Sequence, residues 1–175
     1  MKRLKILFLL CALLISATSM AQIDHDLRFT IRNLGVNVEG FFEESIVEGT
    51  LDLANTQNTS LKATIEVKSI NTDNSTRDSH LLEDDYFDAA NHPQIIFQSY
   101  SLRPQGTGKY ELRGKLTIKG STQDVKIPLE LERGEESNTL KGMLPINRRD
   151  FDVGGGSFIL SKNVKIYITL EIPRD

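Results

Sequence analysis

The sequence predicts an all-β domain, an antiparallel barrel or sandwich of eight or nine strands with one short helix. Three observations carry this. Five separate segments alternate apolar and polar residues with a period of two, which gives each one dry face and one wet face and marks antiparallel rather than buried parallel sheet. The links between them are short, polar and rich in Gly or Pro. One polar stretch, residues 69–99, departs from the alternation and supplies the helix.

The chain opens on a leader. Lys2, Arg3 and Lys5 precede an unbroken apolar run from Ile6 to Ile15, and Ser19 and Ala21 are small residues placed for cleavage before Gln22. The run is half of the roughly 20 residues that a spanning helix needs. Residues 1–21 therefore read as a cleaved export signal rather than a retained anchor, and Leu10 before Cys11 argues against a lipoprotein signal. The expected location is periplasmic or secreted. Taking 21 residues from 175 leaves 154, residues 22–175, enough for one domain with a real core and without a linker to mark a second. The single cysteine, Cys11, leaves with the leader, so stability rests on burial and the hydrogen-bond ladder. Three of 21 basic residues leave and none of 24 acidic ones, so the mature domain carries a net charge of −6. That balance, with Arg148-Arg149 its only adjacent cations, excludes a phosphate-neutralising nucleic-acid surface.

The strands follow in order. Leu27, Phe29 and Ile31 alternate with Arg28, Thr30 and Arg32, and weaker strands are expected at 35–42 and 49–53. Leu61, Ala63, Ile65 and Val67 alternate with Lys62, Thr64, Glu66 and Lys68. From residue 75 to about 85 β-branched residues are scarce, and Ser75 or Thr76 is placed to cap a helix. A weaker strand at 94–102 leads to the turn Pro104-Gln105-Gly106-Thr107-Gly108. Tyr110, Leu112, Gly114, Leu116 and Ile118 form the next dry face, and Lys119-Gly120-Ser121-Thr122 turns into Val125, Ile127, Leu129 and Leu131. After a polar turn at 133–138 come a weaker strand at 140–146 and the last clean one, Val164, Ile166, Ile168 and Leu170. Pro128 and Pro145 fall on wet phases, where each removes a ladder donor and requires a bulge or a rim position.

Several blocks in a fixed order resemble the YceI-like family of bacterial exported lipid-binding proteins. They are Leu34-Gly35 with Val38-Glu39-Gly40-Phe41-Phe42, Ser69-Ile70-Asn71-Thr72, Arg77-Asp78-x-His80-Leu81, Asp85-Tyr86-Phe87-Asp88, His92-Pro93, Phe97-x-Ser99, Gly114-x-Leu116-Thr117-x-x-Gly120-x-Thr122-x-x-Val125, and Arg149-Asp150-Phe151. The resemblance implies an extended, lipocalin-like antiparallel β-barrel of about eight strands with a helix. It also implies an apolar pore for a long-chain amphiphile, such as a polyisoprenoid or quinone-like lipid. The chain departs from the family pattern at Asn33, where His often precedes the Leu-Gly pair, and at the glycine run 154–156.

A barrel of about eight strands encloses space that side chains fill or one slender ligand occupies. The inward phases here are mostly Leu, Ile and Val, with few aromatics and no Trp, walls suited to a flexible hydrocarbon chain. At roughly 0.8 kcal/mol per methylene, ten buried methylenes contribute on the order of 8 kcal/mol before ordering costs. The candidate pore wall is Phe29, Ile31, Val38, Phe42, Ile65, Val67, Leu116, Ile118, Ile127, Leu129, Ile166 and Ile168. Phase places such residues inward and does not distinguish a hollow tube from a packed core.

Arg77, His80 and Arg149 are the candidates for a ligand head group. A second reading of Arg77 and Asp78 is a cap or ion pair that fixes the helix to the barrel. Asp78, Ser79 and His80 are neighbours in sequence, so their side chains do not converge as a nucleophile and its base must, and no catalytic residue is expected. His80, Asp84, Asp85, Asp88 and His92 follow none of the usual ligand spacings, so no metal is expected. Gly154-Gly155-Gly156 has no Lys-Ser/Thr after it and reads as a flexible turn or a flap over the pore, not as a phosphate loop. The expected role is a non-enzymatic carrier of a long-chain amphiphilic lipid, without another cofactor, as a monomer or a homodimer. The alternatives are an interaction module docking on a membrane redox or envelope protein, and an enzyme acting on a lipid.

Overall fold

The computed structural model describes residues 21–135, 137–157 and 159–173. The expected leader, residues 1–21, lies outside them except for Ala21. The strands are β1 (Gln22–Ile23), β2 (His25–Asn33), β3 (Val36–Phe42), β4 (Ser45–Thr50), β5 (Ser60–Glu66), β6 (Ile70–Asn71), β7 (Gln94–Gly106), β8 (Lys109–Ile118), β9 (Ser121–Arg133), β10 (Ser137–Asn147) and β11 (Leu160–Pro173), with one α-helix, α1 (Ser75–Leu81). All eleven belong to one sheet in the order β1-β4-β5-β7-β8-β9-β10-β11-β2-β3-β6, and every pairing is antiparallel.

The two ends of that order are joined by the chain itself. β1 continues into β2 across Asp24, β3 into β4 across Glu43 and Glu44, and β5 into β6 across the 3-10 turn Val67–Ser69. Arg28 pairs with Phe41 on β2 and β3, and Ile23 pairs with Val47 on β1 and β4. Five steps on one strand thus oppose six on the other, a single bulge in one long hairpin. Eleven strands, where eight or nine were expected, thus run as eight continuous ones closed into a barrel. His25 bridges the break, with Nδ1 2.9 Å from the Ile23 carbonyl oxygen and Nε2 2.8 Å from Ser45 Oγ.

The weaker elements depart from expectation for local reasons. The strand expected at 49–53 is Ser45–Thr50, because Asp52 pulls the following residues into a turn. Its carboxylate accepts from the Ala54 and Asn55 amides and from Asn58 Nδ2 at 2.7–3.2 Å, and those bonds, led by the one from Asn55, hold its pKa below the usual carboxylate value. The helix is capped by Asn74, whose backbone is extended and whose Oδ1 accepts from the Arg77 amide at 2.9 Å. Ser75 and Thr76 already lie inside the first turn. α1 stops at Leu81, short of the expected 85, and tight turns such as Phe87 N to Leu81 O at 3.1 Å fold residues 82–92 back over the barrel.

Both prolines sit at a split in the wall. The ladder between β9 and β10 runs only from Leu129↔Gly142 to Arg133↔Asn138. Pro128 and Pro145 lie just beyond it, where the strands part and no donor is required. The 3-10 turn Arg148–Phe151 covers the split, tied to β9 by Gln123 Nε2 donating to the Asp150 carbonyl at 3.0 Å.

Where β4 approaches β5 the chain needs a glycine. Gly49 has φ +131°, and a Cβ there would stand 2.0 Å from the Ser60 carbonyl oxygen. Gly49→Ala is expected to destabilise the protein by roughly 2–4 kcal/mol through backbone strain and overpacking, read as a lower urea midpoint. An unchanged midpoint would mean that this crossing is looser than described.

Candidate functional site

A cavity of about 220 Å3 runs along the barrel axis. β2 lines it with Leu27, Phe29, Ile31 and Asn33, and β11 with Leu160, Val164, Ile166, Ile168 and Leu170. The six steps from Leu27 to Asn33 span about 20 Å at 3.3 Å per residue, so the void is a tube. Its floor is packed, with Leu102, Leu129 and Leu140 at 4%, 1% and 0% exposure. An engineered apolar cavity of about 150 Å3 binds benzene, and this one is larger, with mostly apolar walls and a few polar side chains among them.

Ten of the twelve residues read as pore wall line the cavity: Phe29, Ile31, Val38, Phe42, Ile65, Leu116, Ile118, Ile127, Ile166 and Ile168. Val67 and Leu129 do not, and both are corrected to packed core at 1% exposure. Val67 opens a 3-10 turn, where the two-residue phase of β5 ends. Leu129 faces inward but lies two residue pairs beyond the last lining pair on that wall, Leu112↔Ile127, in the packed floor.

The wall is more aromatic than the strand phases suggest. Phe29, Phe42, Tyr86, Phe87, Phe97 and Phe151 all line the tube. Phe42 stands 5.9 Å from Phe29 and 6.1 Å edge-on from Phe87, centroid to centroid, within the range of favourable aromatic pairs. Tyr86 and Phe87 lie in the non-alternating stretch, where strand phase gives no direction. Their signal was an aromatic pair in a polar segment.

The charged candidates separate at the mouth. Arg77 lines the cavity. Its Nε donates to Thr72 Oγ1 at 2.8 Å and Nη2 to the Thr72 carbonyl at 2.5 Å. Asp78 Oδ1 accepts from the same residue, from the amide at 3.1 Å and from Oγ1 at 2.5 Å. Arg77 and Asp78 thus clasp the buried Thr72 between them, and this fixes α1 to the end of β6. His80 is exposed and does not line the cavity, and exposed Arg149 points its Nη2 at the Ser157 carbonyl, 3.3 Å away.

The arginine that turns inward is Arg148, 3% exposed. Its Nε donates to the Ser161 carbonyl at 2.9 Å, Nη1 to Val153 at 2.6 Å and Gly155 at 3.1 Å, and Nη2 to Leu160 at 3.1 Å. Burial, then the charge of Arg149, holds its pKa below the ordinary guanidinium value. The glycine run is wrapped round this group, with Gly154 and Gly155 at φ +72° and +50°, rather than forming a free flap. A signal for Arg148 existed. Residues i and i+3 of a 3-10 turn share a side, and Phe151, three residues on, is apolar and 2% exposed. Among the described residues no group of three or more His, Cys, Asp or Glu side chains is placed to hold a metal ion.

The family model described as YceI-like domain matches residues 18–172. A UPF0312 protein of Staphylococcus epidermidis is 28% identical over 169 residues, 88% of this chain and 95% of its own. The crystal structure of BcnA from Burkholderia cenocepacia is similar at a TM-score of 0.80 and 30% identity, covering 86% of this chain and 99% of BcnA. A polyisoprenoid binding domain from Saccharophagus degradans, implicated in plant cell wall breakdown, has a TM-score of 0.68 at 14% identity over 88% of this chain and 98% of its own, a likeness of fold.

Ala63 lies on the tube wall between its cross-strand neighbours Val47 and Phe97. Ala63→Leu adds apolar atoms to empty space and is expected to stabilise guest-free protein by about 0.5–2 kcal/mol, a rise of a few degrees in Tm. A fall in Tm would place packed atoms where the void is drawn.

Proposed function

This chain belongs to the YceI-like domain family, and from that premise we propose that it is a non-enzymatic carrier holding the tail of a long-chain isoprenoid or similar amphiphile in the barrel. The observation that carries the reading is the apolar tube. The apolar side chains around about 220 Å3 of empty space lack packing partners on their inner side. A guest chain restores the lost contacts and adds its own burial. The polyisoprenoid-binding domain of like fold supports the choice of tail.

The absence of chemistry in this reading has its own support. Asp78 is occupied by Thr72, and His80 is exposed and does not line the tube, so neither offers a base beside a bound chain. A lipid tail also needs none. The leader in residues 1–21 would deliver the carrier to the periplasm or the exterior, where it would transport, store or sequester its lipid. An interaction module with a solid barrel is the rival, and a void of this size weighs against it.

Native purification, organic extraction and lipid mass spectrometry test the proposal. The expected result is a co-purifying long-chain amphiphile at up to one per chain, whose removal lowers Tm by several degrees and whose return restores it. Protein that repeatedly yields no amphiphile and takes up no added prenyl lipid would sink it.

A further inference from the structure

The tube accounts for a tail and leaves the polar end of the guest undefined. We propose that the mouth selects an amphiphile with an acidic head: Arg148 receives the charge of a carboxylate or a phosphate, and Asn33 Oδ1 accepts from a head that keeps a hydrogen, such as a singly ionised phosphate monoester. This rests on the lipid-binding reading of the tube and adds the chemical class of the ligand.

Arg148 is a full charge at 3% exposure whose four hydrogen bonds all go to backbone carbonyls. Among the described residues no carboxylate forms an ion pair with it. The nearby acids in sequence are engaged elsewhere: the Asp150 carboxylate accepts from Asn147 Nδ2 at 2.9 Å, and Asp152 Oδ2 lies 3.5 Å from Ser121 Oγ. Carbonyl dipoles orient a guanidinium but leave its charge uncompensated, and buried charges are ordinarily paired. A guanidinium has five N–H donors, so one remains free, and the side chain lines the cavity.

Asn33 supplies the second observation. Its Oδ1 is buried without a hydrogen-bond partner, and it lines the same cavity. Buried acceptors are seldom left unpaired in native proteins. The two groups are neighbours, because Asn33 pairs with Leu160 across the sheet and the Leu160 carbonyl accepts from Arg148 Nη2. An acidic head there accepts the free N–H and neutralises the charge. A phosphate monoester, keeping one P–O–H, also donates to Asn33 Oδ1. A quinone or alcohol offers no charge to Arg148.

The test uses delipidated full-length mature protein loaded with the neutral dye Nile red, displaced by four guests of equal tail: palmitate, hexadecyl phosphate, hexadecanol and methyl palmitate. The two acids are expected to displace the dye at tenfold or lower concentration than the alcohol and ester. Arg148→Gln is expected to abolish that preference while shifting hexadecanol less than threefold, and Arg148→Lys to retain part of it. If both Arg148 variants fail to fold, Asn33→Leu decides, since no fold hydrogen bond uses its orphan oxygen. It is expected to weaken hexadecyl phosphate at least fivefold more than methyl palmitate, whose head has no hydrogen to donate to the Asn33 oxygen. Equal displacement by acid and alcohol overturns the head-group proposal and leaves the tube intact. An acid preference that survives Arg148→Gln but disappears in Arg77→Gln overturns the assignment to Arg148. Displacement by none of the four defeats the lipid-binding reading itself.

Discussion

Closure of the hydrogen-bond ladder is the constraint on which the rest of the molecule depends. Strand number and tilt fix the width of a barrel, whatever side chains point into it. The turn at Leu34-Gly35, the bulge between Arg28↔Phe41 and Ile23↔Val47, and the β11 to β2 pairing together leave no free end to the sheet. The inward residues must then fill a space they did not choose. At the floor they succeed, where Leu102, Leu129 and Leu140 are nearly inaccessible. Along the tube Ala63, Val38 and Val164 are too short to meet across it. Hollow space here follows from a rigid wall whose closure sets a width that its side chains do not span.

The mouth is built from the segments that are not strands. α1 and its turns close one side through Thr72, held by both Arg77 and Asp78. The other side is the loop after the Arg148–Phe151 turn, gathered round a single guanidinium by carbonyls of residues 153–161. The two sides meet where the Gly154 amide donates to the Asp85 carbonyl at 2.8 Å and Lys119 Nζ reaches the carbonyls of Asp84 and Asp152 at 2.6 and 3.0 Å. Backbone carbonyls recur as partners because such loops have no ladder to satisfy them.

What the sequence disclosed follows from this division. Phase is reliable along a long strand, because a one-residue slip turns every side chain to the wrong face. Phe29 with Ile31 and Ile166 with Ile168 were therefore legible as a wall. Phase carries no information about depth, so Leu129 was indistinguishable from Ile127. It also fails where the backbone leaves the extended state, and for that reason it did not reveal that Val67 is packed away from the cavity or that Tyr86, Phe87 and Arg148 line it. The prolines were legible as an anomaly, but the split between β9 and β10 that accommodates them is a property of sheet closure, which no single strand reveals.

The same division separates affinity from selectivity. An aliphatic tube gains roughly 0.8 kcal/mol for each methylene it buries and discriminates little among tails of similar length. Polar groups at a buried mouth behave asymmetrically, because a partner that satisfies them gains modestly while one that leaves them unpaired incurs the full desolvation penalty. On the proposed reading Arg148 and Asn33, one charge and one acceptor lining the cavity, would rank guests whose tails the tube treats alike. Change in the wall would then alter how tightly a chain is held, and change in the mouth which chain it is.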